Sequence, residues 1–200
     1  MFRPGLHHTA LVTTLLALGC SKPPVASAPA HDQPRGPGAG LACQSTGKNA
    51  FETYGQPAFF AITKAVLSNV GAEMAAHGEA NLGDSIPKLG TGVNPATVDK
   101  LAVFEAKVAA YFVWAYGGPT EITYTDGAVY RGPQDMTAAH AGLNITSAQY
   151  DYFATSIVVP ALISVGIKHG AGGPKDPDDI SSCFAPVVTD AAYKASMVGK

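Results

Sequence analysis

Hydrophobic residues recur at helical spacing along most of the chain beyond residue 50. A first amphipathic helix is predicted over residues 57–74, where the apolar positions share one face. A second is predicted between Asn94-Pro95, an N-cap followed by a first-turn proline, and the Gly117-Gly118-Pro119 turn. Because the end of this helix near Tyr116 is apolar almost all round, it should cross the middle of the fold.

Shorter elements follow the second helix. Thr146 and Gln149 have the spacing of a capping box and predict a helix start, while Pro160 inside the next apolar pattern predicts a kink or two shorter helices. Residues 122–130 alternate around Asp126-Gly127 and indicate a small hairpin or an extended loop. Strand signals are otherwise almost absent, so the pattern predicts an all-α fold.

One histidine, His140, falls on a short apolar helix predicted within residues 136–146. The methionine comes one turn earlier on the same face. A lone histidine on a helix is more often a core or surface residue than a metal ligand, so the segment has to be judged with its neighbours in sequence.

Those neighbours resemble the group I truncated haemoglobins. In that family helix E, a Gly-Gly-Pro turn, a Tyr-x-Gly element and the helix with the haem-binding histidine follow one another, as do residues 106–119, 130–132 and 136–146 of this chain. Residues 54–57 are similar to a weakened form of the family's opening segment, so the resemblance covers residues 54–184. It implies a truncated globin-like fold, a two-over-two helical sandwich, with the hairpin or loop inserted between helices E and F.

The resemblance also implies a cofactor, b-type haem (iron protoporphyrin IX). His140 would supply the proximal imidazole and leave the opposite side of the iron free for a diatomic gas, O2, NO or CO. Lys107 matches a family position that often reaches a haem propionate, with a solvated surface charge as the alternative. The other side chains expected around the ring are Met136, Leu143, Tyr150, Phe153, Phe104, Val108, Tyr111 and Leu67.

The distal side departs from the family pattern. The tyrosine that the family usually carries on helix B falls on Leu67 or Ser68 here, and Phe104 and Val108 replace the usual polar residues. Such a pocket offers few hydrogen-bond donors to bound oxygen, which would therefore dissociate faster. His77 is expected to cap the first long helix, with a second axial ligand or a peroxidase-like acid–base group as alternatives. The sequence does not decide whether the protein is an enzyme. NO detoxification, for example, needs an electron source, and no reductase domain is expected.

The first 42 residues have the composition of an export signal and a linker. Arg3 precedes an apolar run over residues 11–18, too short to span a bilayer permanently, and Cys20 closes a segment that resembles a lipoprotein cleavage box. Lipidation of Cys20 is expected, with a plain secretory signal as the alternative. Residues 1–20 are thus interpreted as the signal peptide, 21–42 as a disordered linker rich in Pro, Ala and Gly, and 43–200 as the haem domain, held by lipid at the bacterial cell envelope in the outer membrane or periplasm.

Two further cysteines flank the predicted domain. In an exported protein Cys43 and Cys183 could form a disulfide, which would stabilise the fold by roughly 4 kcal/mol by closing a long loop. Two separate buried thiols are the alternative, since sequence does not show that the Cα atoms approach each other.

Composition excludes some other function classes. With 200 residues, 46 % hydrophobic and 14 % charged, the chain can bury one core, and a net charge of -2 gives no basic surface for nucleic acid. The sequence has no P-loop, no Gly-x-Ser-x-Gly elbow and no Cys-x-x-Cys-His haem attachment motif. The alternative function is a haem-free globin-like envelope protein, in which the pocket is filled by its own side chains and the fold serves interactions.

Overall fold

A computed structural model describes residues 35–76, 78, 80, 82, 95–170 and 175–200, with the backbone alone for 95–100. Its described part is mainly helical and contains one two-stranded sheet, β1 (Glu121–Thr123) and β2 (Val129–Arg131). This agrees with the predicted all-α class. The helices are α1 (Ala50–Ala76), α2 (Pro95–Ala115), α3 (Met136–His140), α4 (residues 147–164), α5 (residues 180–188) and α6 (Ala191–Ala195).

Helix α1 buries the apolar face that its sequence predicts. The helix changes direction at Gly55, whose φ of 73° is a backbone conformation that glycine adopts readily. Pro57 then lies in the first turn of the segment after the bend, where proline is tolerated. Beyond this bend Phe59 is fully buried, with its ring centroid 5.8 Å from that of Tyr116 and 6.1 Å from that of Phe184. These aromatic contacts join α1 to α5 and to the residue that directly follows α2.

The second half of helix α2 is buried in the core, and two other segments of the chain pack closely against its backbone. A Cβ added to Gly132 would lie 2.3 Å from the Tyr111 nitrogen, and one added to Gly36 would lie 2.0 Å from the Trp114 oxygen. Only glycine allows two chain segments to approach a helix this closely. The alanines that face these segments and α1 are fully buried: Ala106, Ala109, Ala110 and Ala115.

The beginning of the packed domain therefore differs from the linker boundary expected from composition. Gly36 and Gly38 are buried against α2, and the Gly38 nitrogen donates to the Ala115 oxygen at 2.7 Å. Residues 36–38 thus belong to the fold, although their Gly and Pro content is typical of a linker. The earlier part of the expected linker, the signal segment and the expected lipidation site Cys20 lie outside the described residues, and so does the cap position Asn94.

The hairpin alternative for residues 122–130 is confirmed. Ile122 pairs with Tyr130 in antiparallel register, and the Ala128 nitrogen donates to Oδ1 of Asp126 at 2.9 Å within the turn. Gly127 takes a φ of 81°, which a side chain would disfavour. The hairpin leaves one side of α2 and returns through Gly132 to the start of α3.

Helix α4 begins at the predicted capping box. The Thr146 side chain accepts from the Gln149 nitrogen, and the Gln149 side chain accepts in return from the Thr146 nitrogen at 2.9 Å. The helix then runs through Pro160 without ending, because Phe153–Val158 adopts π-helical geometry before the final turns, Val159–Ser164. A wider π turn shifts the carbonyl groups that a proline ring would otherwise meet. The predicted interruption is therefore a change of helix type.

A disulfide and a buried carboxylate join the first described loop to α5. Cys43 and Cys183 are bonded, with Cα atoms 4.8 Å apart, and both are fully buried. Beside them the Asp179 carboxylate accepts from the Ser45 hydroxyl at 2.5 Å and from the Tyr54 hydroxyl at 2.5 Å. Burial opposes ionisation of Asp179, but these hydrogen bonds outweigh it and hold its pKa below the usual value. Burial and the contact with Asp179 raise the pKa of Tyr54 to about 12.

Candidate functional site

The candidate proximal histidine ends helix α3. The helix starts after Asp135, whose side chain caps it by accepting from the Ala138 nitrogen at 3.1 Å. At the other end the His140 ring is half-buried, and its Nδ1 lies 2.8 Å from the Met136 carbonyl oxygen. A carbonyl accepts only from a protonated nitrogen, so this contact places the proton of the neutral ring on Nδ1. Nε2 is left as the nitrogen that can bind a metal.

The loop after α3 is held by the last residues of the chain. Gly142 and Asn144 both have positive φ, 81° and 51°, which turns the backbone sharply behind His140. The Asn144 nitrogen then donates to the Lys200 oxygen at 2.8 Å, and Ile145 pairs with Val198 in a parallel bridge. A five-residue helix would be marginal alone, so these contacts and the Asp135 cap set the position of His140.

The side chains predicted near His140 differ in accessibility. Met136, on the same face of α3, is 8 % exposed, whereas Leu143 and Phe153 are half-buried. Tyr150 is buried and donates its hydroxyl hydrogen to the Val188 oxygen at 2.7 Å. That bond attaches α4 to α5, so the Tyr150 hydroxyl has a structural partner in the protein.

The residues predicted to lie opposite the histidine are on α1 and α2. Phe104 and Val108 are half-buried one turn apart on α2, and Leu67 is half-buried on α1. Lys107 is exposed, which fits both a contact with a haem propionate at the rim of the site and a solvated surface charge. The alternative residue at the helix B position, Ser68, is exposed, and His77 lies outside the described residues.

Tyr111, one of the residues predicted to contact haem, is held by a residue of α6. It is 6 % exposed, and its hydroxyl donates to that of Tyr193 at 2.5 Å. Burial, with nearby tyrosines as a second cause, raises the pKa of Tyr111 far above the usual value, so the phenol stays neutral. Tyr193 comes from α6, and sequence periodicity did not identify it because the two residues are 82 positions apart.

An open pocket of about 430 Å³ lies beside this tyrosine pair. Its walls come from α2, the start of α3, α6 and the first described segment. Of the residues predicted to contact haem, Met136 and Tyr111 line it and His140 does not. Sequence analysis missed its remaining walls, which include Pro37, Trp114, Gln134 and Tyr193.

Two features of other protein classes are absent from the described residues. They contain no cluster of three or more His, Cys, Asp or Glu side chains able to hold a metal ion together. Among the same residues no helix has both the length and the apolar character needed to cross a membrane.

Comparison with known proteins adds no relative. No protein-family model matches the sequence, and neither a curated protein nor a solved structure is significantly similar to it. The truncated globin resemblance therefore rests on the residues of this chain.

Proposed function

We propose that this protein binds one b-type haem through Nε2 of His140 and a diatomic gas on the opposite side of the iron, as a lipid-anchored protein of the bacterial cell envelope. The observation that carries the proposal is the 2.8 Å contact from Nδ1 of His140 to the Met136 oxygen. Metal-binding histidines almost always donate their second ring nitrogen to such a partner, which fixes the tautomer and the ring orientation.

Several side chains that the resemblance assigns to the haem site suit such a ligand in polarity. Phe104, Val108, Phe153 and Leu143 are apolar and half-buried, so each keeps surface that a porphyrin could cover. Bound haem would supply an iron that can hold a gas molecule. The protein's own part is to orient the imidazole and keep water away with these side chains. Because Phe104, Val108 and Leu67 lack hydrogen-bond donors, the proposed distal side favours CO and NO over O2.

The test is the visible spectrum of the full chain titrated with haem. One equivalent should produce a strong Soret band, and His140→Gly should weaken binding, with free imidazole restoring the band because it replaces the lost ligand. His169→Gly is the matched control, since His169 is exposed and contacts Asp178. A Soret band unchanged in the His140→Gly variant would refute His140 as the ligand.

A second candidate function, a haem-free interaction module, is favoured by one observation. Tyr111 was expected to face the cofactor, yet it is buried and hydrogen-bonded to Tyr193 of α6. In a haem-free protein this contact between two tyrosines would close that part of the fold without a cofactor. Failure of the native sequence to produce a Soret band with stoichiometric haem would select this function.

A further inference from the structure

The turn of the hairpin contains an aspartate followed by a glycine, Asp126-Gly127. It is the only Asp-Gly pair of the sequence, which has no Asn-Gly pair. Both residues are exposed, and a Cβ added to Gly127 would meet no atom of the described residues within 4 Å. Because glycine has no side chain, its backbone nitrogen is the least shielded of all residue types. The Asp126 carboxyl group therefore lies next to an accessible backbone nitrogen.

Such a pair can rearrange without any other reactant. The Gly127 nitrogen bonds to the carboxyl carbon of Asp126, and its hydrogen leaves with the carboxyl OH as water, which gives a five-membered succinimide ring. Water then adds to this ring and opens it at either carbonyl carbon. One opening restores aspartate, and the other gives isoaspartate, in which the main chain runs through the side-chain CH2 group. The protonated carboxyl reacts faster than the carboxylate, because OH is lost more easily than an oxygen anion.

The turn restrains both reacting groups. Oδ1 of Asp126 accepts from the Ala128 nitrogen at 2.9 Å, and Oδ2 accepts from the Tyr130 hydroxyl at 2.6 Å. The hydrogen bond from Tyr130, followed by that from Ala128, holds the pKa of Asp126 below its usual value and keeps the carboxyl ionised. The Gly127 nitrogen donates to the Tyr124 oxygen at 2.9 Å. Rearrangement has to break these contacts.

Isoaspartate would also disturb the hairpin. It adds one carbon to the main chain within the short loop 125–127, which the hydrogen bond from the Tyr124 nitrogen to the Ala128 oxygen closes. The strand before the loop is packed, since Ile122 is buried and the Tyr124 ring centroid lies 4.6 Å from that of Phe60 on α1. The extra length therefore has to be taken up by the turn itself.

From these contacts we infer that Asp126 is the main site of isoaspartate formation in this chain, by attack of the Gly127 nitrogen, and that the hydrogen bond from Tyr130 limits the rate. The site lies on the hairpin and does not involve His140, so a failure of haem binding would refute the proposed function and leave this site unaffected.

The test is ageing of the full chain at neutral pH, followed by peptide mapping and enzymatic methylation of isoaspartate. The peptide that contains residue 126 should carry most of the isoaspartate. Asp126→Glu should abolish this signal, because the six-membered ring that glutamate would form closes far more slowly. Asp135 is an internal control in the same samples, since it is also exposed but is followed by methionine.

Tyr130→Phe tests the restraint, because it keeps the ring beside Tyr124 and removes only the hydroxyl group. In the folded chain it should raise the rate of isoaspartate formation about two- to fivefold, the factor for one weak hydrogen bond. In urea the turn is lost, so the variant and the native chain should react at the same rate. Tyr152→Phe on α4 is the matched control and should leave the rate unchanged in both conditions.

Three outcomes would overturn the inference. In the first, the peptide with residue 126 carries no more isoaspartate than the peptide with Asp135. In the second, the Tyr130→Phe variant reacts at the native rate in the folded chain. In the third, this variant reacts faster than the native chain by the same factor in urea, which would show that the contact in the folded turn is not the cause.

Discussion

The disulfide between Cys43 and Cys183 should account for a large part of the stability of this domain. The bonded residues are 140 positions apart, so the cross-link restricts almost the whole domain in the unfolded state. The chain-entropy relation gives about 5 kcal/mol for a loop of this length. Replacing both residues by alanine should therefore lower the melting temperature by roughly 10–20 °C, at the 2–4 °C per kcal/mol typical of a domain of this size.

The assay combines melting curves with a count of free thiols. The background for both is Cys20→Ala, which removes the third cysteine of the chain and is expected to leave the melting temperature unchanged. In this background the denatured, unreduced protein should show no free thiol, and reduction should release two. Two thiols before reduction would show that the sulfurs are separate. A shift of less than about 3 °C in the double alanine variant would refute the loop-entropy reasoning.

Three further changes test single contacts by urea unfolding. Asp179→Asn should cost about 2–4 kcal/mol at pH 7, because it weakens charge-assisted hydrogen bonds in a buried site. Because the pKa of Asp179 is lowered in the folded state, the loss of unfolding free energy in this variant should have its full size above about pH 4 and shrink as the pH falls through the folded-state pKa. A loss that is independent of pH would contradict this reasoning. Gly36→Ala should lower the free energy of unfolding by about 1–3 kcal/mol, because its Cβ would lie 2.0 Å from a backbone oxygen of α2. Gly40→Ala is the control and should change stability little, because the space around Gly40 is open. Equal effects of the two substitutions would show that residue 36 is not packed against α2. Thr146→Ala should cost about 1 kcal/mol by removing the cap of α4, while Thr155→Ala on the exposed side of the same helix should change stability by less than about 0.5 kcal/mol.

The sequence predicts those elements whose signals are local. The capping box of Thr146 and Gln149, the turn at Asp126-Gly127 and the helix that ends before Gly117 all depend on residues within a few positions of one another. Such signals reflect backbone geometry and short hydrogen bonds, which tertiary contacts seldom override. The position of His140 on a short helix after Met136 belongs to the same group.

Features that depend on distant segments could not be predicted in this way. Gly36 and Gly38 have the composition of a linker, and only the buried backbone of α2 shows that they are needed for close approach. The bond between Tyr111 and Tyr193 likewise joins segments that no periodicity relates.

Two parts of α2 differ in the side-chain surface that they leave accessible. Gly132 and Tyr193 pack against Tyr111, which is 6 % exposed, so this side chain leaves little surface for a large cofactor. One to two turns earlier, Phe104 and Val108 keep exposed surface, as His140 does on α3. A haem bound through His140 would therefore lie toward Phe104 and away from Tyr111.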